Sequence, residues 1–241
     1  MIALTHIPSP QMQSCVRTFV ECQSIDPALA SRQHAAYCQA LRDCGAEVLT
    51  LDVNSQHADC VFVEDTAVVL DEVAIRCSLA PSSRRAEAAA MEPILSKYRK
   101  VVRVELPATL EGGDVLRVRR KLLVGNSCRT NAAGIAAMTD IVRPHGYEVI
   151  GVPVLGCLHL KTACTALPDG RLLVNRDWIE TMDYDLRPRL TVHLVLMNDS
   201  FTSKVSGKLC TVGNVIPMSQ KDVAQPSKFL QSREQRLCKS G

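Results

Sequence analysis

One pattern recurs three times in this chain of 241 residues and restricts its fold more than any other feature: a helix, a strand, a polar loop and a hairpin, in that order. The first copy opens at Asp26-Pro27, an acid placed to cap a helix and a proline suited to its first turn. Ala28, Leu29, Ala35, Ala36, Cys38, Ala40 and Leu41 continue that helix, and Gly45 fits its left-handed cap. Residues 47–51 then read as a strand, 59–65 as an acidic loop, and 66–70 with 73–77 as a hairpin. In the second copy Ser82 and Ser83 are placed to cap a helix running to Tyr98. A strand at 101–106, the loop Leu110-Glu111-Gly112-Gly113-Asp114 and a hairpin of 115–118 with 122–124 follow. The third copy has a helix from Thr130 to about His145, closed by Gly146, then a strand at 148–154 and a loop at 156–161. Its hairpin turns at Pro168-Asp169-Gly170. The helix ends fall roughly 50 residues apart, a period that predicts a radial or stacked repeat fold. A radial arrangement would gather Asp59, Glu64, Asp65, Glu111, Asp114 and His159 at one end. An ordinary α/β sheet with unrelated loops is the alternative.

Composition narrows the function classes. Hydrophobic content of 46 %, charged content of 22 % and a net charge of +3 suit a globular protein with a substantial core. Aromatic residues, at 4 %, are too few for a base-stacking surface, so a nucleic-acid partner is not expected. No apolar run approaches the roughly 18 residues of a membrane span, and the N-terminal residues lack the basic flank and apolar stretch of a signal peptide. Eleven cysteines without a Cys-x-x-Cys pair, many inside apolar runs, read as reduced buried thiols of a cytoplasmic protein. Paired ligand spacing for a structural metal is missing.

Five motifs give the loops a chemistry: Phe62-Val63-Glu64-Asp65-Thr66-Ala67, Ser83-Arg84-Arg85, Leu110-Glu111-Gly112-Gly113-Asp114, Arg129-Thr130-Asn131 and Leu158-His159-Leu160-Lys161. In order and approximate spacing, over residues 1 to about 183, they resemble the dimethylarginine dimethylaminohydrolases of the guanidine-modifying (pentein) superfamily. The resemblance implies a five-bladed α/β propeller of ββαβ units. It implies a hydrolase that converts dimethylarginine to citrulline and dimethylamine through a cysteine thiouronium, without a cofactor. Arginine deimination and amidino transfer are neighbouring chemistries in the same superfamily.

A planar guanidinium is best gripped by carboxylates that match its N–H geometry. Asp65, with Glu64 beside it, is the first candidate for that grip; the resemblance puts Asp59 at the ligand's α-amino group. Arg84 and Arg129 match the family's two arginines for the α-carboxylate, and Phe19 falls near its lid contact. His159 matches the residue that donates a proton to the departing amine and later activates water. Glu111 matches the carboxylate that favours the charged imidazole. Gly112-Gly113 is expected to permit a tight turn there. The expected partner is a small guanidino amino acid, and the expected state a monomer or homodimer.

The chain departs from the family after about residue 186. The family's nucleophile lies in a C-terminal segment resembling Gly-Gly-Leu-Thr-Cys, and Lys208-Leu209-Cys210-Thr211 is the nearest fragment. Cys210 is therefore the candidate nucleophile; Cys238 stands near the terminus, and Cys60 and Cys164 flank the site loops at positions the family does not use. Without an assigned thiol, the family's inhibitory zinc site at a Cys/His pair does not extend to this chain. Residues 187–241 hold nine Lys/Arg against three Asp/Glu and seven scattered serines, leaving the first 186 residues with a balance of −3. The charges are too spread for a nucleic-acid or membrane patch. This divides the chain into a catalytic propeller at 1–186 and an atypical basic segment at 187–241. That segment reads as a diverged or disordered replacement, an out-of-frame product, or a poorly recognisable last blade. Incomplete last blades predict open sheet edges, poor solubility and marginal stability. A binding-only protein without an attacking thiol is the competing function.

Overall fold

The structure, a computed structural model, describes residues 1–19, 24–167, 172–175 and 177–179, together with two short strands, Val195–Leu196 and Val215–Ile216. The chain begins with β1 (Ile2–His6), a strand the sequence reading did not single out. Helix α1 (Pro27–Asp43) starts where Asp26 accepts hydrogen bonds from the N–H groups of Ala28 and Leu29, with Pro27 in the first turn. Strand β2 (Glu47–Leu51) follows and pairs parallel to β1.

The next two units are built alike. Strands β3 (Ala67–Val69) and β4 (Val73–Arg76) form an antiparallel hairpin; helix α2 (Arg85–Leu95) crosses over, and β5 (Lys100–Arg103) pairs parallel to β4. Likewise β6 (Val115–Val118) and β7 (Lys121–Asn126) form a hairpin, α3 (Ala132–Val142) crosses over, and β8 (Glu148–Pro153) lies parallel to β7. After α4 (Leu160–Ala163), β9 (Cys164–Ala166) and β10 (Leu172–Val174) make another hairpin. Val195–Leu196 (β11) adds parallel to β10, and Val215–Ile216 (β12) adds antiparallel to β1. The described residues thus form four three-stranded sheets in a mixed α/β fold. Each closed unit is hairpin, helix, parallel strand. The strand after a helix returns to the hairpin before it, so the repeat begins at the loop rather than at the helix. The expected turn at 168–170 lies outside the described residues.

Local chemistry explains where boundaries differ from expectation. The second helix ends at Leu95 rather than Tyr98. Pro93 removes one ladder donor, and beyond it Lys97 and Tyr98 donate to carbonyls only three residues back. Ser82 and Ser83 do not cap α2; with Arg84 they form a 3-10 turn ahead of it. The third helix is capped by Asn131, whose side chain accepts the Gly134 N–H, rather than opened by Thr130. Gly45 and Gly146 have the positive φ their positions predicted.

Among the described residues the core is a chain of three clusters, each between neighbouring sheets. Leu4, Val63, Ala67, Ala74, Met91 and Leu95 join the β1–β2 sheet to the β3–β5 sheet and α2. Leu70, Ile75, Leu79, Leu110, Leu122 and Met138 lie between the β3–β5 and β6–β8 sheets and under α3. Leu116, Leu123, Leu160, Leu172 and Val174 join the β6–β8 sheet to the β9–β10 hairpin. Burying each of the Leu, Ile, Val and Met side chains stabilises by about 1.5–3 kcal/mol, and the stacked order sets the loops leading into β3, β6 and β9 side by side. No helix among the described residues is long and apolar enough to cross a membrane.

Candidate active site

Each motif loop stands immediately before the first strand of a hairpin. Glu64 and Asp65 lie in a 3-10 turn (Val63–Thr66) before β3; Glu111 precedes a second such turn (Gly112–Asp114) before β6; His159 caps α4 before β9. The three loops approach so closely that the second has no room for side chains at its glycines. A Cβ on Gly112 would sit 2.0 Å from the Glu64 carbonyl oxygen, and one on Gly113 would sit 2.6 Å from His159 Nδ1 and 2.9 Å from Asp65 Oδ1. The glycine pair, expected for a tight turn, is required by this close approach; neither residue has positive φ.

At the meeting point His159 Nε2 lies 2.8 Å from Glu111 Oε2 and 3.9 Å from Asp65 Oδ1. An ionised carboxylate only accepts, so the bond to Glu111 puts a proton on Nε2. Glu111 is wholly buried and also accepts from the Ala80 N–H and from Arg129 Nη1, which is 3.4 Å from each carboxylate oxygen. Arg84 donates from Nη1 to Asp65 Oδ2 at 2.8 Å, and from Nε and Nη2 to Glu87 at 3.0–3.3 Å. Asp114 supports the imidazole loop from beneath, accepting the Leu160 N–H at 2.9 Å and the Ser127 hydroxyl at 2.7 Å.

Three carboxylates, Asp65, Glu111 and Asp114, surround the imidazole, and their negative charge shows in it. Burial acts to lower the His159 pKa, but the Glu111 hydrogen bond and the charges of Asp65 and Asp114 outweigh it, and the net shift is upward. Burial raises the carboxyls of Asp59, Glu87 and Asp114 above their ordinary range, against the opposing pull of Arg84 on the first two and of His159 on the third. Donor atoms of Asp65, Glu111 and His159 lie within 4.8 Å of one another, a spacing compatible with a metal ion. Two guanidinium groups already share these carboxylates and oppose a further dication there.

The sequence candidates therefore separate. Asp65, Glu111, His159, Arg84 and Arg129 are joined directly. Glu64 is ion-paired with Lys161, which ties the acidic loop to α4. Asp59 is buried and accepts the Val16 N–H at 3.1 Å, fixing the N-terminal loop against the acidic one. Phe19 is 52 % exposed, and it is its neighbour Thr18 that meets Arg129, at 3.2 Å from Nη2. Arg84, which alone reads as a surface helix residue, is 3 % exposed. Glu87, Ser127 and Lys161 were not singled out as site residues; the spacing of Glu87 three residues after Arg84 on a helix start was the available signal.

Cys210 and Cys238 lie outside the described residues. Burial pushes the thiols of Cys60 and Cys157 up to about 11 and that of Cys164 to about 12, and Cys77 higher still. Such thiols are almost wholly protonated near neutral pH and unsuited to attack.

Comparison with known proteins gives the arrangement a family. A family described as N,N dimethylarginine dimethylhydrolase, eukaryotic, matches residues 14–180. An N(G),N(G)-dimethylarginine dimethylaminohydrolase from Streptomyces coelicolor is 42 % identical over 172 residues, covering 71 % of this chain and 67 % of the relative. The enzyme of that name from Pseudomonas aeruginosa is 34 % identical over 161 residues, covering 66 % of this chain and 63 % of the relative. The chain thus spans about two thirds of the length of these curated relatives. A solved structure of the Pseudomonas aeruginosa protein, a Cys-to-Ser variant complexed with citrulline, superposes with a TM-score of 0.70 at 32 % identity, covering 72 % of this chain and 69 % of that one. With its mixed α/β sheets, its loop motifs and these relatives, the chain belongs to the dimethylarginine dimethylaminohydrolase family.

Proposed function

We propose that this chain is a C–N hydrolase that binds a methylated arginine and releases citrulline and dimethylamine. The observation that carries the reading is the His159–Glu111–Asp65 cluster, built from three loops far apart in sequence and flanked by two arginines. Asp65 and Glu64 grip the guanidinium, Asp59 meets the α-amino group, Arg84 and Arg129 face the α-carboxylate, and Phe19 lies over the entrance. A cysteine thiolate attacks the guanidinium carbon. His159, held charged by Glu111, protonates the departing dimethylamine, leaving an S-linked thiouronium. Water then adds to that carbon, His159 takes a proton from it, and the thiolate leaves as citrulline forms. Cys210 is the proposed thiol. The same reading takes residues 1–186 as a five-bladed propeller whose last part is incomplete and residues 187–241 as an atypical segment.

Incubation with dimethylarginine, arginine and agmatine in parallel, with citrulline or its decarboxylated counterpart as readout, tests the activity and its substrate. Dimethylarginine is the expected substrate, and His159→Ala abolishes turnover. A second reading, ligand binding without turnover, is favoured by the sequence after residue 186, where no segment matches the family's Gly-Gly-Leu-Thr-Cys nucleophile motif. Iodoacetamide labelling of the same sample separates the two: one thiol reactive near neutral pH supports hydrolysis, and uniform inertness supports binding alone.

A further inference from the structure

The Arg84 guanidinium offers five N–H donors, and three are already committed. Its Nε and Nη2 edge is forked onto Glu87, at 3.3 Å from both carboxylate oxygens and 3.0 Å from Oε2, while Nη1 donates to Asp65 at 2.8 Å. Glu87 is 1 % exposed, and its main-chain carbonyl accepts the Asn54 side-chain amide at 3.0 Å, so the carboxylate sits on a fixed stretch of α2. A planar fork held along one edge cannot rotate about its own axis. Two N–H bonds remain, one on Nη1 and one on Nη2, with no acceptor among the described residues.

We propose that Glu87 is a positioning residue. It orients Arg84 so that one edge of the guanidinium is consumed by protein and the remaining donor pair is presented to the α-carboxylate of the ligand. This rests on the reading that Arg84 meets that carboxylate, and deepens it: selectivity for an α-amino acid over its decarboxylated analogue depends on a buried acid that never touches ligand. Asp65 stands on the other side of the same guanidinium, so Arg84 also links the two ends of the ligand site.

Binding rather than turnover is the proper test, because it needs no attacking thiol. L-citrulline and its decarboxylated analogue, N-carbamoylputrescine, are titrated calorimetrically into the full chain and into Glu87→Gln, Arg84→Lys and the double variant. Expected for Glu87→Gln is a loss of about tenfold or more in affinity for L-citrulline, with little change for N-carbamoylputrescine. The double variant should bind L-citrulline no more weakly than Arg84→Lys alone, as required if Glu87 acts through Arg84. Equal losses for both ligands, no loss for either, or additive losses in the double variant overturn the proposal. Should Glu87→Gln fail to fold, Glu87→Asp decides in its place: it keeps the charge but shortens the reach to Arg84, so a selective loss of L-citrulline supports the positioning role, and an equal loss for both ligands or no loss overturns it. Failure of the unaltered chain to bind L-citrulline refutes the functional reading itself, and the positioning role with it.

Discussion

At the scale of single residues, the site works by setting opposite demands on one imidazole. Burial alone would discharge His159, yet its bond to Glu111 and the field of Asp65 and Asp114 keep it charged to higher pH than a free histidine. Its folded pKa lies above the unfolded value of 6.5, so its stabilising contribution is complete below that pH and is lost as pH rises through the folded value. Glu111→Gln removes the strongest of the raising influences. The His159 titration followed by NMR should then shift to lower pH, and the stability deficit of the variant should be larger below pH 6.5 than well above it. An unmoved titration would mean that Glu111 does not govern the imidazole. The nature of these residues was readable in the motifs, but most of their partners were not. Glu87 stands three residues from Arg84 and could be read as its partner, but nothing in the sequence brings in the second acid, Asp65, which arrives from a loop 19 residues away.

At the scale of elements, caps and turns were legible because their causes lie within a few residues: Asp26 and Pro27 open α1, and Gly146, with positive φ, closes the 3-10 turn (Arg143–His145) that follows α3. The boundaries that moved did so for causes just as near: Pro93 ends α2 early, and the Asn131 side chain, not Thr130, caps α3. Helix α3 shows how tertiary contact overrides propensity. Replacing Gly134 by Ala inside an isolated helix would gain up to about 1 kcal/mol. Here a Cβ at that position would lie 1.9 Å from the Thr109 carbonyl oxygen, which the strand-to-loop segment cannot withdraw cheaply. Gly134→Ala should therefore destabilise, by about 1–3 kcal/mol, and lower the melting temperature. A raised melting temperature would show that the loop at Thr109 yields. Close approach of this kind leaves no trace in sequence beyond the glycine itself.

At the scale of the whole molecule, sheets pack on sheets in order, and the ends of the described fold are tied by short strands from the basic segment: β12 on β1 and β11 on β10. Ending the chain at residue 186 would leave β1 and β10 with open edges. The shortened protein should elute in higher-mass species on size exclusion and melt at lower temperature; a monodisperse shortened protein with an unchanged melt would remove that role from the segment. The repeat period and the polar loops at equivalent places were determined by the sequence alone, because helix caps, alternating apolar runs and turn residues act on their immediate neighbours. Only the tertiary structure decided which strands pair, that each crossover returns to the preceding hairpin, and that Glu87, Arg84 and Asp65 form one buried chain of charge. These depend on burial and on contacts between segments tens of residues apart, where the energy lies in desolvation and close approach rather than in any local preference.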